Sequence, residues 1–271
     1  FRRVLFRSWK MDQLKVGWIG FGNMAKAMAQ GLIGSGRIAP DALYACARDQ
    51  KKLQDNTATL GMHACPDART LVEAVDLVIV AVKPYQVHDV LMPLRDALSD
   101  KIVLSVAAGM PFAAYEELLA PGSAHISTMP NTPIAAQAGV MVCEERHSLS
   151  DEQLDAVRTL FAGCALLVFV SSEQLAIAGT ISGCGPAFAC MMVEALADAG
   201  VKHGLQRSQA YQLAAGMLKG TGALLLQTGE HPAVLKDAVC SPKGTTIKGV
   251  EALEENGMRH ALMAAVDAAQ S

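Results

Sequence analysis

Aromatic side chains make up only 5% of this 271-residue chain, while 51% of its residues are hydrophobic. Any core must therefore be assembled mainly from Ala, Val, Leu, Ile and Met. The seven cysteines include no CxxC pair and no cysteine–histidine spacing typical of zinc. There is also no HExxH and no acidic calcium loop, so no metal is expected. Scattered cysteines without such patterns read as buried, reduced thiols of a cytoplasmic protein. Positive charge is not in excess either, at a net charge of −3. That argues against a nucleic-acid partner, which calls for a basic face. Charge is missing altogether from 174–193, a run about as long as the roughly 20 residues that span a bilayer. Yet this run holds Gln174, Thr180, Ser182 and a central Pro186, and Glu194 and Asp198 follow at once. A helix buried on all sides in a soluble protein or oligomer fits it better than a membrane span.

At the other extreme, residues 1–10 carry Arg2, Arg3, Arg7 and Lys10 with no acid, and Met11 follows. Val4-Leu5-Phe6 is too short for the apolar part of a signal peptide. The segment is expected to be a non-native leader, and removing its four positive charges takes the net charge from −3 to −7.

From 11 to 170 short apolar runs alternate with helix-period stretches. Strands are expected over 15–20, 43–47, 77–82, 102–107 and 125–129, with helices such as 24–33, 68–74 and 112–119 between them. Two more strands, 139–143 and 165–170, flank a helix over 151–161. Several runs are apolar on both faces, as strands of a covered parallel sheet are. The alternation implies an α/β, Rossmann-type doubly wound sheet. From 171 to 271 the strands stop and helices are expected over 175–181, 188–200, 208–227, 232–239 and 245–255. Ser208 is the expected N-cap of the third, and Gly229 and Gly257 follow helix ends. These helices are rich in Ala and Gly and few have a polar face, so a second copy of the chain is expected to cover them.

Two loops carry the chemistry. Gly20-Phe21-Gly22-Asn23-Met24-Ala25 fits GxGxxA after the first strand and before the first helix. In that pattern the first Gly makes the tight turn, the second admits a pyrophosphate, and Ala lets helix and strand pack closely. The free amides of the helix start face the phosphates. At the end of the second strand an NAD site usually has an acid. Here Ala47 stands there and Arg48 follows. The Arg fork suits a 2′-phosphate, so NADPH is the expected cofactor, with Asp49 leaving NADH use open. Ala81-Val82-Lys83-Pro84 and Ser105-Val106-Ala107-Ala108-Gly109 close the next two long strands, on the side of the sheet where such ligands bind. Met129-Pro130-Asn131-Thr132-Pro133 stiffens Asn131 and Thr132, either as a rigid connection or as a ligand contact. Ser182-Gly183-Cys184-Gly185-Pro186-Ala187 interrupts the uncharged run, because Pro does not continue a helix interior without a kink. Near the end, Ser241-Pro242-Lys243-Gly244-Thr245-Thr246 offers three hydroxyls at a helix start, which suits a small carboxylate.

The ordered segments GFGNMA, AVKP, SVAAG, MPNTP, SGCGPAF, ADAGVKHGL and GEHPAVLKDAVCSPKGTTIKGVEALE resemble those of the pyrroline-5-carboxylate reductase family from about residue 15 to the C-terminus. The resemblance implies NAD(P)H-dependent reduction of 1-pyrroline-5-carboxylate to L-proline. It also implies a helical C-terminal dimerisation domain, with dimers assembling further, often into decamers. Residue by residue it implies that Gly20, Phe21, Gly22, Asn23 and Met24 form the phosphate turn and that Arg48 lies near the adenosine phosphate. Ala81, Val82, Lys83, Pro84, Ala107, Ala108 and Gly109 then run along the cofactor. Ser241, Gly244, Thr245 and Thr246 hold the substrate carboxylate and ring nitrogen, with Thr246 the expected catalytic contact. Lys243 departs from the family, which usually has Gly there. Its position after Pro242 is compatible with an ordinary negative φ, and its side chain is expected to face solvent. Two other readings remain: a β-hydroxyacid dehydrogenase, which shares the two-domain plan, and, from another class, a nucleotide-binding scaffold or regulator without turnover.

Overall fold

The computed structural model describes residues 13–270, so the expected leader over 1–10 lies outside the described residues. Two compact units divide between Gly183 and Cys184.

The first unit is a layered α/β structure. In chain order it comprises β1 (Val16–Ile19), α1 (Asn23–Gly34), β2 (Leu43–Cys46), α2 (Gln50–Leu60), β3 (His63–Ala64), α3 (Ala68–Ala74), β4 (Leu77–Val80), α4 (Pro84–Leu91), β5 (Ile102–Ser105), α5 (Phe112–Leu118), β6 (Ala124–Pro130), β7 (Gly139–Glu144), α6 (Asp151–Phe161) and β8 (Ala165–Val170). The eight strands lie in the order β3-β2-β1-β4-β5-β6-β7-β8. Neighbours pair in parallel except β6 with β7, which are antiparallel.

The pleat explains why β1, β4 and β5 read as continuous apolar runs. Alternate residues point to opposite faces. Trp18, Leu77, Ile79 and Leu104 pack on one side with Met28 and Leu32 of α1 and with Val157 and Leu160 of α6. Ile19, Val78, Val80 and Val103 pack on the other with Leu71 and Val72 of α3 and with Val87 and Leu91 of α4. Each such side chain contributes about 1.5–3 kcal/mol by leaving water. All seven expected strands form. β3 is additional: two exposed residues on the sheet edge carry no apolar run for a periodicity to reveal. α2 was also not singled out, because QKKLQDNTATL buries only Leu53 and Thr57.

α7 (Leu175–Lys202) is a single helix with Pro186 inside it. The expected interruption at 182–187 is therefore corrected. Proline removes the amide that would bond the carbonyl of residue i−4, here Ser182. Asn131 Nδ2 donates to that carbonyl at 2.9 Å instead, so the helix continues without an orphaned acceptor. By length and composition α7 is apolar enough to cross a membrane.

The second unit contains the rest of α7 with α8 (Arg207–Thr228), α9 (Pro232–Ala238), α10 (Thr245–Glu255) and α11 (Met258–Gln270). α8 starts one residue before Ser208. Its N-cap is Gln206, whose amide donates to the Gln209 side chain at 3.3 Å. The expected cap at Ser208 is thus corrected: the Gln209 side chain reaches back to the Gln206 amide and closes the helix end first. Gly229 caps α8 with φ +66, and Gly257 follows α10 with φ +69. α7 and α8 approach closely through small residues, and Ala197, Ala210 and Ala214 are buried. Large apolar side chains are not: Leu213 is 61% exposed, Leu226 72% and Met263 60%. A single copy leaves this much apolar surface in water, as expected of helices that pack on a second chain.

Candidate cofactor cleft and substrate loop

The chain leaves β1 in one direction along the sheet, through β2 to β3, and returns to start β4 on its other side. Such a reversal opens a crevice beyond the carboxyl ends of the strands. A cleft of about 1390 Å³ lies there.

The turn after β1 builds its floor. Gly20 has φ +92, and a Cβ on it would lie 2.8 Å from the Ala81 carbonyl oxygen. Its amide donates to Cys46 O at 2.9 Å. Only glycine satisfies both constraints. A Cβ on Gly22 would meet nothing within 4 Å, so this position opens onto the cleft. No side chain caps α1, and its first internal bond runs from Lys26 N to Gly22 O. The amides of Asn23, Met24 and Ala25 precede that bond and are available to an anion, which the helix dipole also favours. Ala25 is buried at 1% exposure, as close helix–strand packing requires. Phe21 offers the cleft its backbone, since its ring is buried against Trp18 at 6.2 Å. These features fit a dinucleotide pyrophosphate.

Around the end of β2 the cleft is lined by Arg48, Asp49 and Lys52. Asp49 caps α2, its carboxylate accepting from Lys52 N at 3.0 Å. That contact draws it away from the role of a ribose ligand. The exposed Arg48 guanidinium donates to the Gln86 amide oxygen at 3.3 and 3.1 Å when that amide is turned toward it. Asp67 also lines this end, and the hydrogen bond from Thr70 N at 2.8 Å holds its carboxyl below the usual range. Lys52, Gln86 and Asp67 were missed by sequence reasoning because none belongs to a recognisable motif.

Beyond β4 and β5 the wall is made by Ala81, Val82, Lys83, Pro84, Val106, Ala107, Ala108 and Thr132. Gly109, with φ +74, follows these residues but does not line the cleft. The structure separates Asn131 from its neighbour Thr132. Asn131 is 6% exposed, and its side chain accepts from Val140 N at 2.8 Å and donates to Ser182 O at 2.9 Å. Both ends are occupied, so Asn131 is a rigid connection while Thr132 faces the cleft. Cys46 also lines it, but burial pushes this thiol up to about 12, which leaves it protonated and a poor nucleophile. No group of three His, Cys, Asp or Glu suited to a metal occurs among the described residues.

In the second unit, Ser241, Gly244, Thr245 and Thr246 lie together where a turn enters α10. Gly244 N donates to Ser241 O at 2.9 Å, closing a four-residue turn with Pro242 at its second position. Lys243 at the third has φ +60. This corrects the expected negative φ. Proline at the second position of such a turn favours the type II form, which needs a left-handed residue next. The Lys243 side chain is exposed, as expected. Ser241, Thr245 and Thr246 are exposed too, and no side chain caps α10 at Gly244.

A profile for pyrroline-5-carboxylate reductase dimerisation matches residues 172–271, and one for F420-dependent NADP oxidoreductases matches 15–109. The chain is 46% identical to the pyrroline-5-carboxylate reductase of Treponema pallidum, covering 95% of this chain and 99% of that one. It is 35% identical to the Escherichia coli enzyme, over 93% of this chain and 94% of the other. Among solved structures, Plasmodium falciparum pyrroline carboxylate reductase with NADP bound superposes with a TM-score of 0.84 at 29% identity, covering 96% of this chain and 97% of that one. The Coxiella burnetii pyrroline-5-carboxylate reductase gives 0.84 at 30% identity with the same coverage.

Proposed function

We infer that this chain, which belongs to the pyrroline-5-carboxylate reductase family, reduces the C=N bond of 1-pyrroline-5-carboxylate with a nicotinamide hydride to give proline, the last step of proline biosynthesis. The observation that carries this reading is the presence, in one chain, of the glycine-floored dinucleotide cleft and of the Ser241–Thr246 hydroxyl loop within the segment that matches the dimerisation profile.

When bound, NADPH supplies the hydride. Gly22 and the first amides of α1 hold the pyrophosphate, and Arg48 receives the 2′-phosphate. With Asp49 engaged at the start of α2, the cleft favours NADPH over NADH. Val82, Ala107 and Ala108 give the nicotinamide a small-residue wall. Ser241, Thr245 and the amides at the start of α10 bind the substrate carboxylate, and Thr246 hydrogen-bonds the ring nitrogen. Orienting two rings in this way can supply ~7–11 kcal/mol of the barrier. One hydroxyl contact to a charged nitrogen supplies about 1.5–3 kcal/mol. Catalysis therefore rests chiefly on positioning.

Residues 11–170 form the cofactor domain in this reading, and 171–271 the substrate and dimerisation domain. The protein is a cytoplasmic homodimer that assembles further, a decamer being the expected end point, with neither membrane nor nucleic acid as a partner. The deciding experiment is NADPH oxidation followed spectrophotometrically with 1-pyrroline-5-carboxylate. Imine-dependent oxidation supports the reading. Turnover of a 2- or 3-hydroxy acid without any imine reduction would replace it with a β-hydroxyacid dehydrogenase.

A further inference from the structure

The wall formed by Val106, Ala107 and Ala108 has apolar side chains of modest size and so cannot fix its own position by side-chain hydrogen bonds. Its backbone also lacks a strand on one side. β6 pairs with β5 in parallel only as far as Ser105↔Ser127. From Thr128 onward β6 pairs antiparallel with β7, Thr128 standing opposite Cys143. The sheet changes partners at the point where the cleft opens.

Side chains take over from the missing ladder. Thr128 Oγ1 donates to Ser105 O at 2.8 Å. Ser127 Oγ donates to Met110 O at 2.9 Å. Glu144 Oε2 accepts from Phe112 N at 2.6 Å. All three residues are buried, at 2%, 2% and 1% exposure, and none lines the cleft. They grip the segment before, within and after the turn that carries Ala107 and Ala108.

We propose that Ser127, Thr128 and Glu144 form a clamp behind the β5–α5 loop that sets the height of this wall against the nicotinamide, making them positioning residues for hydride transfer. The proposal rests on the cofactor placement given under Proposed function. A loop freed at one of these bonds still encloses the cofactor, but it no longer holds the ring at one distance from the imine carbon. A misplacement of about 1 Å is enough to slow a reaction that depends on orientation.

The test uses the full chain with Thr128→Val, which keeps the shape and removes the hydroxyl, and Thr128→Ser, which keeps the hydroxyl. The single-turnover rate of hydride transfer from NADPH to 1-pyrroline-5-carboxylate is read by stopped flow. NADPH dissociation constants and melting temperatures are measured beside it. Thr128→Val should slow transfer by about three- to ten-fold, the equivalent of one neutral hydrogen bond. Its NADPH dissociation constant should change less than about twofold, the scale of a few tenths of a kcal/mol. Thr128→Ser should restore the rate. A Thr128→Val variant that loses melting temperature but transfers hydride at the unaltered rate would assign the clamp to stability alone and overturn the proposal. An equal slowing in both variants would also overturn it, because Thr128→Ser keeps the hydroxyl and its slowing would then not come from the lost hydrogen bond. Absence of NADPH-dependent imine reduction by the unmodified chain would instead defeat the functional reading on which the clamp depends.

Discussion

Replacing Arg48 by Ala tests the cofactor assignment at a side chain whose surroundings are defined. The guanidinium is exposed and, among the described residues, its hydrogen bonds go to the Gln86 amide when that amide is turned toward it on the rim of the cleft, so its removal should leave the fold alone. A charge-assisted hydrogen bond is worth about 1.5–3 kcal/mol, and solvent screening at an exposed site argues for the lower end. About 1.5 kcal/mol corresponds to roughly tenfold in kcat/KM. NADH has no 2′-phosphate for Arg48 to bind, and the neighbouring acid Asp49 is already bonded to Lys52 N. Its kcat/KM should therefore change less than about twofold, and the NADPH to NADH preference should fall by about tenfold. Screening gives a second handle. Raising ionic strength from about 0.1 M to 1 M shortens the Debye length from roughly 10 Å to 3 Å. That should erode the NADPH preference of the unmodified enzyme and leave that of Arg48→Ala nearly flat. Initial rates with each cofactor at saturating imine measure both effects. Equal losses with NADPH and NADH would refute the reasoning. No loss at all would place the phosphate elsewhere, with Lys52 the next cation lining that end of the cleft.

Thr246→Val should lower kcat/KM for the imine by roughly ten- to a hundred-fold, the equivalent of about 1.5–3 kcal/mol, and leave NADPH binding nearly unchanged; an unaltered rate means that the ring nitrogen is held by another group. Lys243→Gly should change the imine KM by less than about threefold, since an exposed charge contributes under ~1 kcal/mol. Chemical denaturation should show little change in its stability, because relief of the +60° backbone, worth ~1 kcal/mol, is offset by the freedom glycine adds to the unfolded chain. His125 is buried, with Nε2 2.7 Å from Glu116 Oε1 and Nδ1 without a partner among the described residues. Burial pulls its pKa below the ordinary 6.5 against the opposing Glu116 contact, so the unfolded chain takes up the proton first. Its stabilising neutral form holds at pH above 6.5 and is lost as pH falls below that value. His125→Gln should show a shallower loss of melting temperature between about pH 7 and pH 5 than the unmodified protein, and parallel curves would exclude His125 as a source of the slope. Light scattering in dilute solution should give at least a dimer, and a stable, active monomer would contradict the partner role of the exposed apolar helices.

The sequence by itself determined the order of the seven long strands and the position of the glycine turn after the first of them. Burial on both faces of a parallel sheet writes itself as unbroken apolar runs, and β1, β4 and β5 were legible for that reason. Gly20 and Gly22 were legible because the turn admits no other residue type at the first and an anion needs open space at the second. Local polar chemistry was harder to read. α2 and β3 bury too little to leave a pattern, and α8 takes Gln206 instead of Ser208 as its N-cap through a Gln209 side-chain bond that sequence position does not reveal. Only the tertiary structure decided what Pro186 and Asn131 do. The amide that Pro186 lacks is supplied by a side chain from a loop more than one domain element away, and no periodicity links the two. Lys243 is a similar case, since its φ follows from the closed turn between Ser241 and Gly244 and not from Pro242 alone. The clamp behind Ala107 and Ala108 arises because β6 exchanges partners between Ser127 and Thr128. Which strands become neighbours is fixed by the packing of the whole sheet, so the roles of Ser127, Thr128 and Glu144 become visible only after the chain has folded.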